Sequence, residues 1–186
     1  PSSPKKPPTT TVAGTNSGAD KLYLSQVGVS ICVSDSNIAG NILQILAGLP
    51  EFLRKSMLKS RMTEFFTLPE DEKKETIKNA LDAAPTIDFF ILSNLVRTWI
   101  EILCEFDEDR RKMMFGTYVD VIIMYPKILI KLNVDGLISI FNSLTDDKKF
   151  ILVNSLNHLI SDLRDDNKNN IVNAIPDALK KVLKIN

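Results

Sequence analysis

What most constrains this chain is a set of similar phrases repeated at a fixed spacing. Leu68-Pro69-Glu70-Asp71-Glu72-Lys73-Lys74, Phe106-Asp107-Glu108-Asp109-Arg110-Arg111-Lys112 and Leu144-Thr145-Asp146-Asp147-Lys148-Lys149-Phe150 start 38 residues apart (106 − 68 and 144 − 106). Halving the interval to 19 adds block starts at Leu49, Ile87, Tyr125 and Leu163. A block of that length holds one helix of about 13 to 16 residues and a turn. No such block can bury an apolar face alone, so successive blocks must stack on one another.

Aligning the blocks column by column supports this reading. Position 10 is apolar throughout: Leu58, Ile77, Val96, Phe115, Val134, Val153 and Val172. So is position 17, with Phe65, Ala84, Leu103, Ile122, Phe141, Ile160 and Leu179. Position 13 adds Ala80, Trp99, Tyr118, Leu137, Leu156 and Ile175, with Arg61 as the exception. Positions 10, 13 and 17 stand at i, i+3 and i+7, one face of a helix. Position 12 is small or short (Ser60, Asn79, Thr98, Thr117, Gly136, Ser155, Ala174), as close helix approach requires. Position 15 is mostly polar (Thr63, Asp82, Glu101, Asp120, Ser139, His158, Asp177) and predicts a solvent-facing column.

The doubled period predicts helix pairs. Blocks at 68, 106 and 144 open with acids followed by bases, whereas those at 49, 87 and 125 open on apolar runs such as Phe52-Leu53 and Phe89-Phe90-Ile91-Leu92. An apolar first turn predicts the more buried member of each pair. The polar run Arg164-Asp165-Asp166-Asn167-Lys168 predicts a helix that closes one end of the stack. Upstream, Ser34-Asp35-Ser36 can cap a helix over Asn37 to Ala47 that stops at Gly48. The expected fold is all-α, an α-solenoid-like array of about eight antiparallel helices in which 49–186 form the helical-repeat domain. Residues 21–48 read as an arm, either a short strand or an extended segment, followed by a capping helix. Residues 1–20 are Pro/Ser/Thr/Lys-rich with few aliphatic side chains, and read as a disordered leader. That leader has neither an initiator Met nor the apolar core of a signal peptide, which fits a processed or partial chain. Either the cytoplasm or an organelle reached through a removed targeting segment is compatible with it.

A helix pair of about 38 residues, with acids opening one helix and bases a turn later, resembles HEAT-like and armadillo-like α-solenoids. The resemblance runs from about Leu49 to Lys181. It implies a non-enzymatic module that binds a protein partner or joins a multisubunit complex through one face of the stack.

Charge and composition narrow the chemistry. Lys+Arg and Asp+Glu both number 23, so the formal net charge is zero and a dedicated nucleic-acid binder is not expected. The apolar runs 87–104 and 119–132 carry Asp88, Arg97, Glu101, Asp120, Lys127 and Lys131, so no membrane-spanning helix is expected. With one histidine, two cysteines, no glycine-rich phosphate loop and no calcium-loop pattern, no metal or cofactor is expected. A Cys–His site would need Cys32 or Cys104 beside His158, which falls in the solvent column. The bases Lys73, Lys74, Arg110, Arg111, Lys112, Lys148 and Lys149 form a candidate partner-binding ridge. The competing reading pairs them with acids of their own first turns, and Lys78–Asp82 and Arg97–Glu101 pair at i,i+4. Phe66 and Phe90 lie off the apolar stripe and are the candidate aromatic contacts. Two other readings stay open: a structural subunit of a larger complex, and a ligand-binding bundle or enzyme with a cavity walled by Trp99, Phe115 and Tyr118.

Overall fold

The computed structural model describes residues 35–185, with side chains from residue 40 onward. The expectations for 1–20 and for 21–33 fall outside these described residues. Within them the chain is all-α: α1 (Asp35–Gly48), α2 (Glu51–Phe65), α3 (Glu70–Ala83), α4 (Phe89–Glu105), α5 (Glu108–Met124), α6 (Val134–Asn142), α7 (Asp146–Asp162), α8 (Asp165–Ala174) and α9 (Asp177–Leu183). Two 3-10 segments, Ala84–Thr86 and Pro126–Lys131, precede α4 and α6.

The helix starts follow local chemistry. Asp88 accepts from the Phe90 and Ile91 amides, Asp107 from Arg110 and Asn133 from Gly136, so each caps free N–H groups of the helix it opens. Pro50, Pro69 and Pro176 stand directly before α2, α3 and α9, at the place where an extended residue must precede the first turn. The acid–base openings close as i,i+3 pairs: Lys73–Glu70 at 2.8 Å, Arg110–Asp107 at 3.6 Å and Lys149–Asp146 at 3.5 Å. Proline also explains why the described helices exceed the expected eight. Pro176 divides the last block into α8 and α9, and Pro126 turns the opening of the Tyr125 block into a 3-10 segment.

Helices pack on alternate neighbours. The series α1, α3, α5, α7 forms one run of contacts and α2, α4, α6 another, with α1 and α7 also touching α4. The core between them holds Leu58, Met62, Phe65, Ile77, Leu95, Ile102, Leu103, Met114 and Val121. The short residues of position 12 serve the close approach expected of them: Thr98, Thr117 and Ser155 are buried, and a Cβ on Gly136 would collide with the Phe89 ring.

The apolar openings are buried only in part. Leu92, Ile128 and Leu129 are buried and Phe89 packs against the core, whereas Phe52, Phe90 and Ile130 stand 74%, 80% and 82% exposed. Within each opening one side of the turn therefore joins the core, continued by later residues such as Leu58 and Leu95, while the other side projects from the stack.

Candidate interaction surface

Much of the charge that the sequence offers to a partner is used inside the fold. Arg54 is buried, with Nε donating to Thr98 Oγ1 at 2.9 Å and Nη1 donating to the Leu49 and Ala47 carbonyls at 2.7 and 3.3 Å. Those carbonyls belong to the end of α1, where the last turn leaves acceptors unpaired and the macrodipole is negative. Arg111 repeats the arrangement: Nε donates to Ser155 Oγ at 2.9 Å, and Nη1 donates to the Phe106 carbonyl just after α4. Both arginines reach a position 12 hydroxyl 44 residues ahead. Each therefore ties the end of the preceding helix to a helix two further along. Sequence reasoning missed these clamps, although a signal was present. Arg54, Lys73 and Arg111 share position 6, four residues before the apolar position 10, so a cation there lies on the buried stripe.

The basic ridge is dispersed by the same packing. Lys73 is only 4% exposed and bonds Glu70, with Met113 Sδ at 3.4 Å, so its ammonium does not reach a partner. Arg111 is spent on its clamp. Lys74 pairs with Asp120 at 3.0 Å, Lys112 with Asp162 at 3.3 Å and Lys148 with Glu101 at 3.6 Å, each linking different helices. Lys149 pairs within its own turn, and Arg110 lies over the Phe66 and Phe106 rings at 5.8 and 5.7 Å. Lys78–Asp82 forms as expected at 2.6 Å. Arg97 instead donates to Ser143 Oγ at 2.8 Å, because Glu101 is drawn to Lys148 of α7.

Glu105 receives two bases of α2, Lys55 at 2.8 Å and Lys59 at 2.7 Å. Their hydrogen bonds hold its carboxyl at about 2. A depressed carboxylate means the folded state binds fewer protons than the unfolded chain, so this stabilisation is present above the ordinary carboxylate range and fades as pH falls towards 2. Glu105→Gln is therefore expected to flatten the acid limb of the stability–pH curve between about 4.5 and 2, with neutral-pH stability lowered only slightly. Equilibrium denaturation across that window checks it, and an acid limb as steep as in the wild type counts against the pairing.

The two aromatic candidates part company. Phe66 is half-buried, edge-on to Phe65 and Phe106 with centroids 5.8 and 5.2 Å away, and belongs to the packing under α5. Phe90 projects from the first turn of α4, as Phe52 does from that of α2, and the two share block position 4. Trp99 and Tyr118 meet edge-to-face at 5.5 Å and pack with Phe115 against the core, so the three form part of the packing. Burial pushes the Tyr118 phenol well above its usual range. Burial also raises the Cys104 thiol, while His158 Nδ1 lies 2.8 Å from Glu108 on the surface. Cys32 lies outside the described residues. A cleft of about 250 Å³ between α3 and the end of α5 is lined by Asp71, Lys74, Glu75, Lys78, Met124 and Tyr125. Its lysines are engaged: Lys74 by Asp120, and Lys78 by Asp82 and the Tyr125 ring.

Among the described residues no cluster of His, Cys, Asp or Glu could hold a metal ion, and no helix is long and apolar enough to cross a membrane. No buried side-chain nitrogen or oxygen among them lacks a hydrogen-bond partner. Comparison with protein-family models, with curated proteins and with solved structures finds no match for this chain.

Proposed function

We propose that the protein is a non-enzymatic interaction module, a HEAT-like or armadillo-like helical stack that binds a protein partner through the exposed first turns of α2 and α4. One observation carries this reading. Phe52 and Phe90 recur at one block position and stand 74% and 80% exposed, although the chain packs or pairs its other candidate contact residues. Large exposed aromatics lose little conformational entropy on docking and dominate interface energetics. Ile130, in the 3-10 segment before α6, is a further exposed apolar side chain, at block position 6.

Because the bases are paired internally, recognition rests on shape and apolar contact, and binding changes little between about 0.1 and 0.5 M salt. Cross-linking mass spectrometry in the native source, with wild type beside Phe52→Asp/Phe90→Asp, tests the reading. The expected outcome is one partner set cross-linked near α2 and α4 and lost in the double variant. Cross-links to the same partner at full yield in the double variant would remove the basis of this reading. A permanent structural subunit differs by co-eluting with its complex after dilution.

A further inference from the structure

Block position 19 is where a cation arrives from two helices earlier. Lys59 of α2, at position 11, reaches Glu105 at 2.7 Å, and Lys55, at position 7, reaches it at 2.8 Å. Lys112 of α5, at position 7, reaches Asp162 at 3.3 Å. Arg97 of α4, at position 11, makes the same crossing, but the residue it meets at position 19 is a serine: Nη1 donates to Ser143 Oγ at 2.8 Å. The Ser143 hydroxyl gives its own hydrogen to the Ile140 carbonyl at 2.6 Å, which leaves its oxygen as the acceptor for Arg97. Lys59 to Glu105 and Arg97 to Ser143 both span 46 residues. Ser143 therefore offers a hydroxyl to Arg97 at the place where Glu105 offers a carboxylate to Lys59.

The residues around Ser143 suit an enzyme that reads acids. Asp146 and Asp147 follow at the third and fourth places, a charge pattern complementary to a basic substrate groove. Of the described serines and threonines, Thr67, Thr98, Thr117 and Ser143 carry an acid three residues on. Thr98 and Thr117 are buried, which leaves Thr67 and Ser143 accessible. Thr67 is flanked by Glu64, Glu70 and Asp71, and its hydroxyl donates to the Glu64 carbonyl. Ser143 differs from it in holding a guanidinium against its oxygen. It also lies just after α6, a helix of nine residues whose buried residue is Ile140. A helix that short is marginal by itself, so this turn can open into an enzyme's cleft at small cost.

We propose that Ser143 is a phosphorylation site, modified by an acid-directed serine kinase and received within the fold by Arg97. Ser143 Oγ attacks the γ-phosphorus of a nucleoside triphosphate and its proton passes to the kinase's base. The bond from that phosphorus to the bridging oxygen breaks, and the nucleoside diphosphate leaves. The new group carries a charge of about −1.5 to −2 and three acceptor oxygens. Arg97 offers it a planar fork, as Lys55 and Lys59 offer two ammonium groups to Glu105. The other charges around the turn are Glu101 and Lys148, paired at 3.6 Å, and Asp146 and Asp147, the first held by Lys149 at 3.5 Å. The phosphate thus repeats between α4 and the end of α6 the link that Glu105 makes between α2 and the end of α4. The site stands independently of the function proposed above.

Two measurements on the full chain decide it. Protein isolated from its native source with phosphatase inhibitors is digested and mapped by mass spectrometry. Phosphate on Ser143 is the expected result, and peptides that carry Ser143 only unmodified overturn the proposal, even where Thr67 is phosphorylated. For the second, the purified chain is treated with an acid-directed serine kinase and adenosine triphosphate, and phosphorus-31 resonances are followed against pH. The Ser143 signal is the one that Ser143→Ala removes, and a treated wild type without it overturns the proposal. Arg97→Gln keeps Ser143 and its two following acids and changes an exposed side chain, so folding and phosphorylation are retained. A phosphoserine loses its second proton near a pH of about 6, and a cation against it favours the dianion. The wild-type signal should therefore titrate at a pH lower by about 0.5 than that of Arg97→Gln. Coincident titrations would show that Arg97 does not receive the phosphate, and would overturn the proposal.

Discussion

Replacing Arg54 with alanine is expected to lower the unfolding free energy by about 3 kcal/mol. The guanidinium serves three acceptors, Thr98 Oγ1, Leu49 O and Ala47 O, at 2.9, 2.7 and 3.3 Å. Two of these are carbonyls from the end of α1, and alanine leaves them without that donor inside the packed zone. Hydrogen bonds to a charged group contribute roughly 1.5–3 kcal/mol each when buried, and they are not additive. Lysine at the same place keeps the charge but lacks the planar fork, so Arg54→Lys should recover about half of the loss. Urea denaturation reads both values as midpoint shifts at constant slope. A loss below about 1 kcal/mol for Arg54→Ala would show that water replaces the clamp with little penalty. Arg111→Ala should cost less, because Arg111 is only half-buried.

The second large effect separates two residues of the same type and block position. Ile102→Ala should cost about 3–4 kcal/mol, since its side chain is fully buried and the surrounding helices relax only in part around the cavity. Ile45→Ala should cost about 0.5 kcal/mol, as for other exposed sites. The contrast is the informative quantity. Near-equal losses would mean that Ile45 is already covered by another part of its own chain.

Some of this was legible in the residues and some was not. The 19-residue interval located the blocks, and the acid-then-base phrases at 68, 106 and 144 marked where helices open, because first-turn charge effects are local. Position 15 came out largely solvent-facing for an equally local reason: its polar side chains lie opposite the apolar stripe. The fate of each base was not local. Lys73 is buried and Lys74, its neighbour, crosses to Asp120, a distinction set by which helix lies beside α3. Arg97 was expected to bond Glu101 four residues on, yet α7 brings Lys148 to Glu101 and Ser143 lies within reach of Arg97. Phe66 and Phe90 looked equivalent off the stripe, but only Phe66 found a neighbouring aromatic to pack on.

The sequence by itself determined an all-helical chain with a 19-residue unit, its turns, and a surface whose acids and bases balance. Those properties follow from helical periodicity, caps and composition, which act within a few residues. Only the tertiary structure decided how that balance is used: the charges pair across helices, while Phe52, Phe90, Ile45 and Met57 stay uncovered among the described residues. The physical reason is that an ion pair or a buried stripe needs a neighbour at the right height, and the stagger between alternate helices sets that height.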